Sequence, residues 1–247
     1  MEMAEAESRF SLQERDGIQW IEAQVAGSLA RFTLAFDTAG SPVDLDSAAQ
    51  PANHPSRLRV ARALGLDPGR TRIVRQVHGG RLVEAGVGRP RSSDPFIGTG
   101  PPSNEADGLV VRGGGETIAV QIADCLPVAI VGPGGRAILH CGWRGLGTEM
   151  LDRAAAMVEG TDAVIGPAIG PCCYEVGPEV AEALGVERSP AGTVDLRAVA
   201  RSRLREAGVS GVFETDLCTC CEDQRFFSHR RQGGEAGRQM AFLSEER

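Results

Sequence analysis

Four short polar clusters in this 247-residue chain combine residue types that do chemistry. They are Gln76-Val77-His78-Gly79, Ala123-Asp124-Cys125-Leu126-Pro127, His140-Cys141-Gly142-Trp143-Arg144-Gly145, and the Gly166 to Gly177 segment containing Pro171-Cys172-Cys173-Tyr174-Glu175. His78, Cys125 and His140 together supply two imidazoles and a thiolate. Three protein ligands with a fourth place open is the composition of a catalytic rather than a structural zinc site. No local spacing ties the three together, so a plainer reading stands beside it: Cys125 as a small buried hydrophobe and the histidines as core residues bonded to backbone carbonyls. A second functional reading needs no metal and makes Cys125 a nucleophile with His140 as its base, in a hydrolase or amidase. His78 tips the balance toward the metal, because a dyad has no need of a third group.

Arg144, two residues past Gly142 and beside Trp143, offers bidentate binding to phosphate or a ribose-linked oxyanion, or else a surface ion pair. Asp124 can orient a ligand imidazole, act as a general acid or base toward a purine-type ring nitrogen, or merely bond its own turn. Gly166, Gly170 and Gly177 permit close backbone approach to a ligand, and Tyr174 is the only tyrosine in the chain. In extended backbone Cys172 and Cys173 would point to opposite sides, so at most one would face a given pocket. Cys218-Thr219-Cys220-Cys221 is similar to a zinc-knuckle fragment, but it lacks a second pair at finger spacing, which argues against a structural zinc there. Phe226-Phe227-Ser228-His229-Arg230-Arg231 reads either as a core strand with a solvated basic end or as an anion-binding rim.

Each of the four clusters sits at the end of an apolar run, where rigid backbone can aim a side chain into a cleft. Phe10 to Phe36 alternates like strands, with a turn at Gly27. Thr38 to Pro55 has no period and reads as a loop, Ser56 to Gly65 as a helix, and Thr71 to Val77 as a strand. Gly86 to Ser103, dense in Gly, Pro and Ser, reads as surface loop. The middle is the most regular: strands at Gly108–Val111, Thr117–Ile122, Leu126–Val131 and Arg136–His140, separated in part by turns at 113–115 and 132–135. Helices are expected at Thr148–Glu159, Pro178–Leu184 and Leu196–Ala207, with strands at Asp162–Ile165 and, last, Val212–Glu214. Strands apolar at most positions imply a sheet covered on both faces, with the helices supplying cover in an α/β fold.

A composition of 42% apolar, 24% charged and 4% aromatic residues fits one large globular domain and excludes disorder, collagen and coiled coil. No apolar run approaches the roughly 20 residues of a membrane span, and the acidic start (Met1 to Glu7) is unlike a signal peptide, so a cytoplasmic protein is expected. A net charge of −7 argues against a broad nucleic-acid or membrane surface and for a small-molecule partner. The seven cysteines, an odd count with adjacent pairs, are read as reduced thiols.

Taken in order, the four clusters, then Asp216 through Cys218-Thr219, then Phe226 to Arg231, resemble the laccase-domain (multicopper polyphenol oxidase) family of YfiH-like and YlmD-like proteins, from about Arg72 to Met240. The resemblance implies one α/β domain over residues 1–247 with a mixed β-sheet core flanked by helices, distantly similar to the catalytic domain of cytotoxic necrotising factors. It implies zinc on His78, Cys125 and His140, with copper also acceptable to such a donor set. It implies phosphorolysis of adenosine, inosine, guanosine and methylthioadenosine, with adenosine deamination beside it. The catalytic residues would be Asp124, Cys125, His140 and Arg144; Gln76, Arg144, Cys172, Tyr174 and Arg230 would bind nucleoside and phosphate. A bacterial branch of the family is linked to peptidoglycan-precursor editing, and a Cys/His dyad of the necrotising-factor type would match Cys125 and His140. The Phe36 to Leu45 stretch departs from the family pattern and lacks its arginine, which would alter one pocket wall and admits a nucleoside-binding homologue without turnover. Cys141 replaces the common alanine beside His140.

Overall fold

The N-terminal alternation folds as three antiparallel strands, β1 (Phe10–Arg15), β2 (Ile18–Val25) and β3 (Ser28–Thr33). The turns between them place Asp16 and Gly17, then Ala26 and Gly27, at positive φ, the geometry that matches the twist of a hairpin. The computed structural model describes residues 9–47, 54–85, 93–97 and 102–246. The same sheet continues through β4 (Thr71–Ile73), β6 (Asp94–Pro95), β8 (Thr117–Ile122) and β13 (Gln239–Glu245), in the spatial order β1-β2-β3-β13-β8-β4-β6. A second sheet is built from β5 (Leu82–Glu84), β7 (Gly108–Val111), β9 (Leu126–Gly132), β10 (Gly135–Cys141), β11 (Asp162–Ile165) and β12 (Gly211–Glu214), in the order β12-β11-β9-β10-β7-β5. Both sheets are mixed: β4–β8, β5–β7 and β11–β12 pair in parallel, and the other pairs are antiparallel.

The period of two decides what each face covers. Along β9, Val128 and Ile130 face the helices while Ala129 and Val131 face the other sheet. Between the sheets lie Ile21, Phe32, Val120 and Leu243 from one side and Ile138 and Val164 from the other. The outer face of the first sheet, with Trp20, Ile73 and Phe242, is closed by α1 (Pro55–Leu64) through Val60, Ala61 and Leu64. Outside the second sheet sit α2 (Trp143–Leu146), α3 (Met150–Val158), α4 (Pro178–Leu184) and α5 (Leu196–Glu206). The result is an α/β fold of four layers, helix, sheet, sheet, helix. Local chemistry sets the helix ends: Pro55 stands in the first turn of α1 and Gly65 ends it at φ +64°, while Asp195 caps α5 by accepting from Arg197 and Ala198 N–H. No helix among the described residues is long and apolar enough to cross a membrane.

Four expectations are corrected. The Thr71–Val77 strand ends at Ile73, and Gly86–Ser103 contains β6, although residues 86–92 and 98–101 lie outside those described. Val212–Glu214 is not the last strand, since β13 follows and inserts between β3 and β8. Phe226–Arg231 is not a strand: Phe226 and Phe227 are buried, and Ser228 then caps α6 (His229–Gln232) by accepting from Arg231 N–H.

Gly166 sits where β11 leaves the sheet, and a Cβ there would overlap the ring of Phe32, which is buried between the sheets. Gly166→Ala is therefore expected to cost about 1–3 kcal/mol through overpacking. Urea denaturation checks this; an unchanged midpoint would mean that Phe32 has room to move.

Candidate metal centre

Register brings the polar clusters to one edge. Cys141 pairs with Leu126 and Leu139 with Gly108, so the end of β10 lies beside the starts of β9 and β7. β5 runs parallel to β7 and starts at this edge, and β11 runs antiparallel to β9 and ends there. His78 lies just before β5, Cys125 just before β9, His140 near the end of β10, and the cysteine-tyrosine segment after β11. Ala123-Asp124-Cys125 crosses from β8 in one sheet to β9 in the other, through Asp124 at φ +91°.

The ligand atoms of His78, Cys125 and His140 all lie within 4.8 Å of one another. The two imidazoles meet edge to face, 83° apart with centroids 4.8 Å apart. His140 is buried, Cys125 half-buried and His78 exposed. Alternation along β10 sends Leu139 and Cys141 into the helix-side core and leaves His140 facing the other way, so Cys141 is a packing thiol. Burial pushes the Cys141 thiol well above its ordinary range, with the charges of Cys125 and Asp107 adding to this.

Asp107, fully buried at the start of β7, organises the centre, and sequence reasoning missed it. Its Oδ1 lies 3.0 Å from His140 Nδ1 and accepts the His78 N–H at 2.9 Å, while Oδ2 accepts the Gly79 N–H at 2.7 Å. One carboxylate thus holds the His140 ring and the backbone of His78, which stands at φ +57°. With Nδ1 bonded to Asp107, His140 turns Nε2 to the cleft, the arrangement usual behind a metal-binding histidine. Burial acts to raise the Asp107 carboxyl, but hydrogen bonds from His140, Gly79 and His78 outweigh it and hold the group below its ordinary value. The one available signal was a carboxylate directly before the fully buried strand Gly108–Val111, where no solvated charge belongs.

Burial would push the Cys125 thiol up, yet the charge and hydrogen bond of His140, with His78 adding to them, bring it down to about 6. Burial would lower His140, but the Cys125 charge and the Asp107 bond raise it to about 9. Without a metal the two form a thiolate–imidazolium pair. One soft sulfur and two imidazole nitrogens, converging with a carboxylate behind one of them, fit zinc or copper by donor type. Gly142 leaves the space, for a Cβ there would stand 3.1 Å from Cys125 Sγ.

The centre forms the floor of a cleft walled by Asp124, Trp143, Arg144, Ile169, Tyr174 and Leu196. It encloses about 60 Å³ and widens to about 350 Å³ with its mouth. Arg144 stacks 4.3 Å over the Trp143 ring and, among the described residues, forms no ion pair, which removes the surface-pair reading within that set. The Asp124 carboxylate bonds not its own turn but Thr219 Oγ at 2.7 Å and the Arg230 N–H at 2.6 Å. Arg230 stands 5.4 Å over the Tyr174 ring and donates to the Cys173 carbonyl at 3.0 Å. Burial, then the Cys125 charge, pushes the Tyr174 hydroxyl up to about 12, so it is a donor at neutral pH.

Three of the expected contact residues, Gln76, Cys172 and Arg230, are not among the residues that line the cleft, although Arg230 stands over the ring of Tyr174, which is. The Gln76 amide is engaged at both ends by the Gln121 backbone, at 2.8 and 2.7 Å. Cys172 is exposed and borders a separate groove. The divergent Phe36 to Leu45 stretch does not line the cleft; Asp37 pairs with Arg59, and Asp44 accepts the Arg238 N–H.

The family model described as multi-copper polyphenol oxidoreductase laccase matches residues 45–246. The chain belongs to this family. It is 38% identical over 195 residues to a purine nucleoside phosphorylase of Xylella fastidiosa (strain Temecula1), covering 71% of this chain and 72% of that one. It is 37% identical over 211 residues to an adenosine deaminase from an unknown prokaryotic organism, covering 74% and 78%. The crystal structure of YlmD from Geobacillus stearothermophilus shares the fold with a TM-score of 0.79 at 28% identity, covering 97% of this chain and 99% of that one. The α/β architecture expected of a laccase-domain protein is therefore the one observed, in the form of two mixed sheets.

Proposed function

We propose that this laccase-domain protein is a zinc-dependent purine nucleoside phosphorylase acting on adenosine, inosine, guanosine and methylthioadenosine, with adenosine deamination as a second activity. The observation that carries the reading is the convergence of His78, Cys125 and His140 within 4.8 Å on a cleft that also presents Asp124, Arg144 and Tyr174. The names of the Xylella and unknown-prokaryote relatives supply the reaction classes.

In phosphorolysis, phosphate attacks the ribose C1′, the bond from C1′ to the purine nitrogen breaks, and its electron pair leaves with the base, which takes up a proton. Arg144, a wall of the cleft stacked on Trp143, binds the phosphate, and Arg230, over the ring of the cleft residue Tyr174, is the second guanidinium within reach of an anion there. Asp124 holds the Arg230 backbone and, with a lone pair left on each oxygen, takes a proton from the attacking hydrogen phosphate and passes it to the departing base. The Tyr174 hydroxyl donates to the substrate. A metal held by the three ligands supplies a Lewis acid at the floor.

The test is chromatography of adenosine and inosine incubated with the zinc-loaded protein, with and without phosphate. Free base that requires phosphate is expected; inosine formed from adenosine without phosphate makes it a deaminase, and nucleoside binding without turnover makes it an inactive homologue. A second reading, a Cys125/His140 amidase acting on peptide-linked cell-wall precursors, is favoured by the thiol lowered to about 6 beside an imidazole raised to about 9. A chelator that stops turnover, with recovery on adding zinc, excludes it; an alkylator that inactivates where the chelator does nothing supports it.

Metal uptake should also show the shared proton. Between about 6 and 9 the Cys125–His140 pair carries one proton, on His140, so zinc binding is expected to release about one proton from it. Below about 6 the thiol is protonated too, release rises to two, and affinity falls more steeply with pH. Calorimetry in buffers of different ionisation enthalpy measures this, and two protons at neutral pH would show that the thiol is not ionised.

A further inference from the structure

We propose that Cys172, Cys173, Cys218 and Cys221 form a second metal site, a closed tetrathiolate that takes zinc and locks one wall of the cleft. Their sulfurs all lie within 4.8 Å of one another, with Cys221 Sγ 3.4 Å from Cys172 Sγ and 3.3 Å from Cys173 Sγ. Those separations are far longer than the roughly 2.05 Å of a disulfide. They lie close to the edge of about 3.8 Å for a sulfur tetrahedron with metal–sulfur bonds of about 2.3 Å.

The fold supplies what the sequence lacks. β11 and β12 are parallel neighbours, and the Ala168 to Cys218 bridge carries their pairing past the sheet edge, so the two cysteine segments leave side by side. Gly170 carbonyl then accepts from both Cys173 and Tyr174 N–H, each at 3.0 Å, closing a tight turn. Cys172 and Cys173 are therefore not in extended backbone, and both thiols reach one point, contrary to the alternation expected from sequence. Across from them the Glu222 N–H bonds the Cys218 carbonyl at 3.0 Å, a turn that brings Cys218 and Cys221 together at the two-residue spacing of metal-binding pairs. The second pair missing at finger spacing is the Cys172–Cys173 turn.

The surroundings suit thiolates on a cation. The Gly170 N–H donates to Cys218 Sγ at 3.2 Å, the outer-shell support expected behind a metal ligand. Arg230 and Arg231 bring positive charge to the same loops, bonding the carbonyls of Cys173, Thr219 and Cys220. Four protein ligands leave no open position, so the site is structural, and it shares no residue with the His78–Cys125–His140 centre. Its turns carry Tyr174 and Thr219, the latter bonded to Asp124, so a metal here holds those cleft groups in register.

The experiment uses the full chain, purified with reductant and zinc, as wild type, Cys125→Ala, Cys221→Ser and Cys220→Ser. Cys125→Ala impairs the His/Cys/His centre and leaves the four-cysteine cluster native. Elemental analysis is expected to find about one zinc per chain in it, and X-ray absorption four sulfurs at about 2.3 Å. Cys221→Ser is expected to lose that zinc, whereas Cys220→Ser, whose thiol is outside the set, keeps it. Cys125→Ala without sulfur-only zinc overturns the proposal, as does mass spectrometry showing Cys221 in a disulfide in that sample. The X-ray absorption arm stands even if Cys221→Ser fails to fold. A protein with sulfur-bound zinc but no nucleoside turnover would refute the phosphorylase and leave this site in place.

Discussion

Cys125→Ala is expected to lose the metal of the His/Cys/His centre and the phosphorolysis together. Binding of structural zinc by four ligands is worth about 10–16 kcal/mol, so one ligand carries roughly 3–4 kcal/mol, or about 10²–10³ in affinity. The centre has three protein ligands to begin with, and Cys125 is the one that brings a negative charge. Turnover should fall by at least the same factor at limiting metal. Little stability should go with it, because the side chain is half-buried and Asp107 still holds His140. Metal analysis and nucleoside chromatography on the same sample check the prediction. Zinc retained at this centre with turnover lost would move the protein to the cysteine-nucleophile reading, and zinc and turnover both retained would remove Cys125 from the centre.

Asp107→Ala is expected to be the most damaging single change to the framework. It strands the His78 and Gly79 N–H groups and His140 Nδ1, all of which lie on one fully buried carboxylate. An abandoned donor costs about 1–3 kcal/mol when buried, and since the His78 and Gly79 N–H bonds are only part-buried a loss near the bottom of the three-donor range, roughly 3–5 kcal/mol, is expected out of the 5–15 kcal/mol typical of a folded domain. Asp107→Asn separates positioning from folding: it keeps the shape and one acceptor oxygen, and zinc affinity should fall about 10–100-fold with a smaller change in stability. Competition with a chelator measures the affinity and urea denaturation the stability. Equal losses of both kinds in the Asn variant would make Asp107 a purely structural group. The sign of the pH effect follows from the lowered carboxyl: its contribution is present above the ordinary carboxylate range and is lost as pH falls through the depressed value.

Much of the framework is legible in the sequence because it is local. The β7 to β10 strands are apolar runs whose ends are marked by turns, and the 113–115 turn places Gly113 and Gly114 at positive φ, which only glycine adopts at no steric cost. Helices α1 and α5 carry their start and stop signals in Pro55, Gly65 and Asp195. β13 is not legible, since Gln239 to Leu243 is buried on both faces and shows no alternation, and Phe226–Arg231 offers a competing apolar start just before it.

The site divides along the same line. Residue types and their positions at strand ends already single out His78, Cys125, His140, Asp124, Arg144 and Tyr174, because a reactive group closing an apolar strand has no packing reason to be there. Which of these groups meet is decided by register between distant segments. The pairing of β10 with β7 brings Asp107 to His140, 33 residues away, and the parallel pairing of β11 with β12 brings Cys172 to Cys221 across 49. Gln76 matches its motif, yet the backbone of Gln121 takes its amide. A sequence carries the chemistry of each side chain and the local preference of its backbone. The partners are chosen by non-local packing, and here that choice made Asp107 the anchor of the centre and set four thiols around one point.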